Sequence, residues 1–127
     1  MYPDGNGMCR GRHDVSGPVT FPSGCEALYR RSMLDEIGLF DERFFMYNED
    51  TDLGIRAQKA GWKCLYVPAA IVTHLYSQSS SAYSLKKLFW VERSRILLML
   101  KNFTIRQILA SVPWTFVRYC NLLRSFA

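Results

Sequence analysis

The chain has 127 residues, of which 49% are hydrophobic and 14% aromatic, and it carries a net charge of +5. That length and apolar content exclude a disordered chain and allow about one domain with its own core. Cys9, Cys25, Cys64 and Cys120 stand far apart with no Cys-x-x-Cys pair, which excludes a cysteine zinc site and a dense disulfide framework and fits a reducing compartment.

The opening residues, MYPDGNGMCRGRHD, lack the apolar stretch of a signal peptide, and no uncharged apolar run of about 18 residues follows. The expectation is a cytoplasmic chain. Residues 1–24 are rich in Gly, Pro, Asp and Asn without periodicity and read as loop; residues 1–21 are expected to be an irregular arm from the interior of a longer chain.

In CEALYRRSMLDEIGLFD an apolar stretch leads to Ser32, with Asp35 three positions on in the spacing of a capping box and Gly38 as a stop. A short helix over Met33–Ile37 is expected. FFMYNEDTDLGIRAQKAGW follows, Phe44 to Trp62. Here Asn48 is expected to be an N-cap whose side chain accepts from first-turn amides, with Glu49 and Asp50 where the helix dipole favours negative charge. Leu53, Ala57 and Ala60 recur at helical spacing and Gly61 ends the helix. Asp52 and Arg56, four apart, are expected to pair on its surface, an interaction worth about 0.3 kcal/mol.

WKCLYV and AAIVTHL, separated by Pro68, predict two strand segments with His74 near the end of the second. The polar connection YSQSSSAYS, residues 76–84, comes next. LKKLFWVERSRILLMLKNF predicts a helix with Leu85, Leu88, Phe89, Ile96, Leu97 and Leu100 on an apolar side and basic residues on the other. IRQILASVPWTFVRYCNLLRSFA continues in the same style with a break at Pro113. There are no internal repeats.

Three carboxylates within four positions need an explanation. One acidic residue satisfies a helix dipole, whereas Glu49, Asp50 and Asp52 together repel one another unless a cation or a substrate proton uses them. Capping is the plain alternative for Glu49 and Asp50. Asp50-Thr51-Asp52 has the form of an Asp-x-Asp metal motif, but positions i and i+2 of a helix point to different sides, so the two are not expected to hold one ion. His74 is either a satisfied histidine at a strand end or, beside a carboxylate in a cleft, a metal ligand or acid–base group. Arg93 and Arg95 are either the solvated face of a helix or a bidentate grip on a diphosphate.

From Ala82 onward eight Lys and Arg residues stand against Glu92 alone, so this third of the chain seeks an anionic neighbour. Lipid headgroups, a sugar-nucleotide diphosphate and nucleic acid all qualify on charge. No nucleic-acid motif and no basic–aromatic interleaving on a strand supports the last, and no nucleic-acid partner is expected.

The segment GCEALYRRSMLDEIGLFDERFFMYNEDTDLGIRAQKAGWKCLYVPAAIVTHLYSQSS resembles the C-terminal half of the catalytic domain of inverting family-2 glycosyltransferases, especially the bacterial rhamnosyltransferase-like branch that builds surface polysaccharides. A small-residue turn before LYRR carries the resemblance, followed in order by IGLFDERFF, EDTDLGIR, AGWKCLYVP and a strand ending in His. With ERSRILLMLKNF it covers about Pro22 to Phe103.

The resemblance implies an α/β fold: the C-terminal, acceptor-side portion of a GT-A nucleotide-sugar transferase fold over residues 22–84, followed by basic amphipathic helices over 85–127 at a membrane interface. It implies that Asp50 is the general base, that Glu49 orients the base or the acceptor, and that Asp52 with Arg56 supports them. Gly24 and Cys25 then lie near donor sugar and acceptor, and Arg93 and Arg95 on the pyrophosphate. It also implies Mg²⁺ or Mn²⁺ held by an Asp-x-Asp motif, absent from this chain, and by a later histidine at the position of His74.

The implied partners are a nucleotide-sugar donor, a lipid-linked or polysaccharide acceptor and an anionic membrane surface, with the chain peripheral on the inner face of the cell membrane. The donor-binding half of the family is missing, so a truncated product is expected, inactive alone, marginally stable and self-associating through an unpaired sheet edge. The reading from another class is a remnant without catalysis, acting as a binding or assembly module.

Overall fold

The structure is a computed structural model that describes residues 15–24, 26–71 and 84–126. In chain order they form β1 (Gly17–Val19), α1 (Arg31–Ile37), a 3₁₀ turn (Glu42–Phe44), α2 (Glu49–Lys59), β2 (Cys64–Tyr66), α3 (Leu85–Asn102) and α4 (Ile105–Phe126). Mixed helix and strand is compatible with the expected α/β class. The sheet among the described residues is a two-stranded antiparallel ladder with Gly17 opposite Tyr66 and Val19 opposite Cys64.

β1 lies inside the stretch expected to be loop. Three residues that include a Gly and a Pro carry no strand signal of their own; they become a strand because β2 offers them a backbone to pair with. β2 is the first of the two expected strand segments. The second is not a strand as far as it is described: Ala70 N–H closes a turn on Val67 C=O at 3.0 Å, and the rest of AAIVTHL, His74 included, lies outside the described residues.

α1 begins two residues earlier than expected and without the capping box. Its N-cap is Arg30, with no side-chain cap bond. Ser32 is already inside the helix, and Asp35 is taken by Arg31 one turn back, Nε to Oδ1 at 2.8 Å. Gly38 ends the helix as expected, at φ 81°, its N–H donating to Leu34 C=O.

α2 has its expected extent, and its close approach to the segment after β1 depends on Gly54. A Cβ there would stand 2.2 Å from Phe21 Cβ, far inside contact distance. The buried apolar centre is Met33 of α1, Phe44 of the 3₁₀ turn, Leu53 of α2 and Leu98 and Met99 of α3.

α3 packs on this centre with a face other than the expected one. Ser94, Arg95, Leu98 and Met99 are buried, while Leu85, Phe89, Ile96 and Leu100 of the expected apolar side are exposed. The reason is polar: Ser94, Lys101 and Asn102 find partners on α2 and on the loop before it, and those bonds choose the rotation of the helix. α4 turns back along α3 and runs through Pro113 without the expected break. A proline removes one N–H donor and crowds the carbonyl four residues back; twenty-two helical residues docked on α3 absorb that cost. Arg95, with 1% of its surface exposed, joins the two helices. Its Nε donates to Glu92 Oε2 at 2.9 Å, Nη1 to Thr115 Oγ1 at 3.3 Å and Nη2 to Tyr119 Oη at 3.2 Å. Arg118 Nη2 reaches Glu92 Oε1 at 2.6 Å.

Candidate functional site

The site forms where the chain enters α2. Phe45, Tyr47 and Asn48 all have positive φ, at 49°, 67° and 63°, a conformation that L residues adopt at a cost of about 1–3 kcal/mol each and keep only when the surroundings impose it. Here α3 imposes it. Ser94 Oγ donates to Phe44 C=O at 3.2 Å and Met46 C=O at 2.8 Å, and Arg93 Nη1 donates to Arg43 C=O at 2.7 Å. Phe44 is fully buried, and the Phe45 ring rests on Trp90 with centroids 4.7 Å apart.

Asn48 stands at the N-cap but does not cap with its side chain, contrary to expectation. It is in the left-handed conformation with no side-chain cap bond, and only its carbonyl serves the helix, accepting Asp52 N–H at 2.9 Å. A left-handed cap turns the side chain away from the first-turn amides. Asp50 serves one of them instead: its Oδ1 accepts Thr51 N–H at 2.6 Å and the Thr51 hydroxyl at 3.3 Å. Its Oδ2 accepts Gly24 N–H at 2.9 Å across 26 residues. Gly24 and Asp50, expected to share a site, are thus in direct contact. Cys25 lies outside the described residues.

Glu49 is half-buried, and its Oε2 is fully buried with no hydrogen-bond partner. Burial raises its carboxyl above the usual glutamate range, and the Asp50 charge adds to this against a bond from its own backbone amide. Among the described residues, the other buried side-chain polar atom without a partner is Tyr29 Oη. Burial first, then the charges of Asp50, Cys64 and Glu49, push the Tyr29 phenol up to about 12, so it is a committed donor. Its ring stands edge-on to Phe40, centroids 5.7 Å apart. Two orphaned polar atoms in one small region are unusual, because buried polar groups are nearly always bonded. Tyr29 has no sequence signal beyond being an aromatic residue in an apolar run.

Asp52 belongs to a different constellation. It is fully buried, where a surface pair with Arg56 was expected. Oδ2 accepts Arg56 Nε at 2.9 Å and Lys101 Nζ at 2.8 Å; Oδ1 accepts Asn102 Nδ2 at 2.8 Å. Burial alone pushes its carboxyl up, yet Lys101, Asn102 and Arg56 together hold it below the usual range. Arg56 spends its remaining donors on the end of α1 and the residues after it, Nη1 on Ile37 C=O at 2.5 Å and Nη2 on Leu39 C=O at 2.7 Å. Lys101 also bonds Asp41 Oδ2 at 2.7 Å. One carboxylate therefore ties α1, α2 and α3 together. The three acidic residues do not act as one cluster: Asp52 is neutralised below, while Asp50 and Glu49 remain above it.

Arg93 and Arg95 do not meet this site as a pair. Arg95 is buried against α4, so it is neither a solvated charge nor open to a diphosphate. Arg93 is exposed, with its guanidinium 5.4 Å from the Trp90 ring centroid.

A divalent ion does not fit the described residues. No group of three His, Cys, Asp or Glu side chains among them could hold a metal. Asp52 is consumed by Lys101, Asn102 and Arg56, both Asp50 oxygens accept from amides, and His74 is outside the described residues.

Comparison with known proteins bears on this geometry. Residues 3–92 match the family described as "Glycosyltransferase like family 2". The N-acetylglucosaminyl-diphospho-decaprenol L-rhamnosyltransferases of two Mycobacterium tuberculosis strains, CDC 1551 / Oshkosh and ATCC 25618 / H37Rv, are each 52% identical to this chain over 63 residues. That alignment covers 50% of this chain and spans 20% of either relative's length. No solved structure matches the chain significantly.

Proposed function

This chain belongs to glycosyltransferase family 2, and we propose that it carries the acceptor side of a sugar-transfer site in which Asp50 is the general base. The supporting observation is the Asp50 carboxylate at the N-terminus of α2, fixed by Gly24 N–H from the other side of the site. In the proposed step an acceptor hydroxyl gives its proton to Asp50 as its oxygen bonds to the anomeric carbon of the donor sugar. The bond from that carbon to the nucleotide diphosphate breaks on the opposite face, and the departing diphosphate keeps the electron pair. A single displacement of this kind inverts the anomeric configuration. A carboxylate held by two backbone amides keeps its position while the proton arrives.

Glu49 and Tyr29 fit the acceptor. A sugar hydroxyl is both donor and acceptor, and the two orphaned atoms are one acceptor, Glu49 Oε2, and one donor, Tyr29 Oη. By likeness to the relatives, the sugar moved is L-rhamnose and the acceptor a lipid diphosphate bearing N-acetylglucosamine. Were Mg²⁺ or Mn²⁺ bound, the family resemblance offers His74 as one ligand, and the ion would offset charge on the departing diphosphate. No step above runs through the ion.

The test is direct. An enzyme containing this segment is supplied with a nucleotide-rhamnose donor and a polyprenyl-diphosphate-linked N-acetylglucosamine, and the product is read for transfer and anomeric configuration by NMR. Transfer with inversion supports the reading; retention, or transfer to a protein or nucleic acid instead, overturns it.

A further inference from the structure

The second observation that needs an occupant lies on the far side of α3 and α4. The helices are antiparallel, since Glu92 meets Arg118 while Arg95, one turn on, meets Thr115. At 3.6 residues per turn, Leu85, Phe89, Ile96 and Leu100 share a row about a quarter turn from the side of α3 that meets α4. Ile105, Leu109, Val112, Phe116 and Leu123 likewise share a row about a quarter turn from the side of α4 that meets α3. In an antiparallel pair these two rows face the same way. Ser94, Leu98 and Asn102, which serve α2 and its entry loop, face the other.

The result is one continuous apolar face across both helices, every side chain in it between 47% and 77% exposed. Along α3 it holds a hollow of about 500 Å³ lined by Leu85, Leu88, Phe89, Glu92, Arg93 and Ile96. An exposed apolar surface of this extent marks an interaction site.

Charge names the use. Glu92 is the only acidic residue in 85–126, and it is closed off between Arg95 and Arg118, which hold its carboxyl below the usual range against the effect of burial. The rim of the face is basic: Lys86 beside the α3 row, Arg106 and Arg124 beside the two ends of the α4 row, all exposed. An apolar face edged by cations, whose one carboxylate, Glu92, is already paired with Arg95 and Arg118, matches an anionic lipid surface, into whose headgroup layer such a face settles while the cations meet phosphates. Neither helix is long and apolar enough to cross a membrane.

We propose that the α3–α4 hairpin lies flat on an anionic bilayer through this face, as an in-plane anchor. The geometry puts Arg106 and Arg124 at the rim, takes Arg118 to the helix interface, and defines a two-helix surface turned away from α2. The proposal does not depend on the sugar-transfer reading, because binding to vesicles is measured without turnover.

The test is co-sedimentation of the 127-residue chain with vesicles of phosphatidylglycerol and phosphatidylethanolamine, and with phosphatidylcholine alone. The expected result is binding to the anionic vesicles that weakens with added salt and is at least about tenfold weaker to phosphatidylcholine, each cation contributing about fivefold. Leu109→Glu with Phe116→Glu should lower binding at least about tenfold, and Ile96→Glu with Leu100→Glu should do the same from the other helix. Trp114→Glu alters an equally exposed residue half a turn away on α4 and should leave binding unchanged, as thermal melts of all variants should remain cooperative. Equal loss with Trp114→Glu, or no binding to either vesicle, overturns the proposal. So does a concentration-dependent dimer in analytical ultracentrifugation that Leu109→Glu with Phe116→Glu abolishes, which would make a second copy the occupant.

Discussion

Asp52 and Lys101 meet at 2.8 Å across 49 residues, with Asp52 fully buried. The contact joins the first turn of α2 to the last turn of α3, and Arg56 extends it to the end of α1. Removing one partner of a buried pair leaves the others desolvated and uncompensated, at a cost of about 3–5 kcal/mol. Asp52→Ala should therefore destabilise the chain by about 3 kcal/mol in urea denaturation. Asp35→Ala, which breaks the exposed Arg31–Asp35 pair, should cost no more than about 0.5 kcal/mol. Similar losses for the two would refute the structural role given to Asp52.

The same network sets the response to acid. Asp52 and Glu92 have carboxyls held below their ordinary values, so each contributes stability that is present above the unfolded value, near 3.8 and 4.5, and is lost as pH falls through the lower folded value. Asp41, held down by Arg43 and Lys101, behaves alike. Thermal melts should show stability falling from about pH 4 downward, and Asp52→Asn should make that fall shallower. An unchanged slope in the variant would show that Asp52 titrates alike folded and unfolded.

Glu49 acts in the opposite sense. Its folded pKa is raised, so ionisation favours the unfolded chain; the cost is absent at low pH and grows as pH rises past the ordinary glutamate value of 4.5. Glu49→Gln should raise the midpoint of melting at pH 7, with the gain closing as pH falls below the ordinary glutamate value of 4.5. Better stability with poorer acceptor binding is the pattern of a functional site that keeps an unsatisfied group. A lower midpoint at pH 7 would show that Glu49 has a partner in the folded chain.

Gly54 tests the packing of α2 against the segment after β1. Gly54→Ala forces a Cβ into Phe21 and should cost about 1–3 kcal/mol, although alanine is the better helix former. Adding Phe21→Ala should return part of the loss, a coupling that a double-mutant cycle measures. Independent effects would mean that the two residues do not touch.

What could be read in the sequence was what neighbouring residues decide. α2 follows from its own periodicity and from Gly61. Distant partners decided the rest. Nothing in DLGIR announces that Asp52 is buried, because Lys101 and Asn102 arrive from a helix some fifty residues later. The rotation of α3 is not legible locally because Ser94 and Asn102, polar in sequence, are its inward face, and β1 is a strand only by virtue of β2. Pro113 reads as a break locally, but the docked α4 holds through it. Tyr29 is inconspicuous in sequence because only burial sets its hydroxyl apart.

The central claim is that Asp50, and not its acidic neighbours, takes the proton. The most direct measurement is the rate of rhamnose transfer by an enzyme containing this segment, comparing Asp50→Asn with wild type at matched folding, judged by thermal melt. The expected result is a fall in kcat of at least about 100-fold, a melt that stays cooperative although one of the two amide bonds to residue 50 is lost, and a KM for the acceptor within a few-fold of wild type. Glu49→Gln should instead act chiefly through acceptor KM. If Asp50→Asn retains near-wild-type kcat while Glu49→Gln abolishes it, the base is Glu49 and the assignment of roles at the head of α2 is wrong.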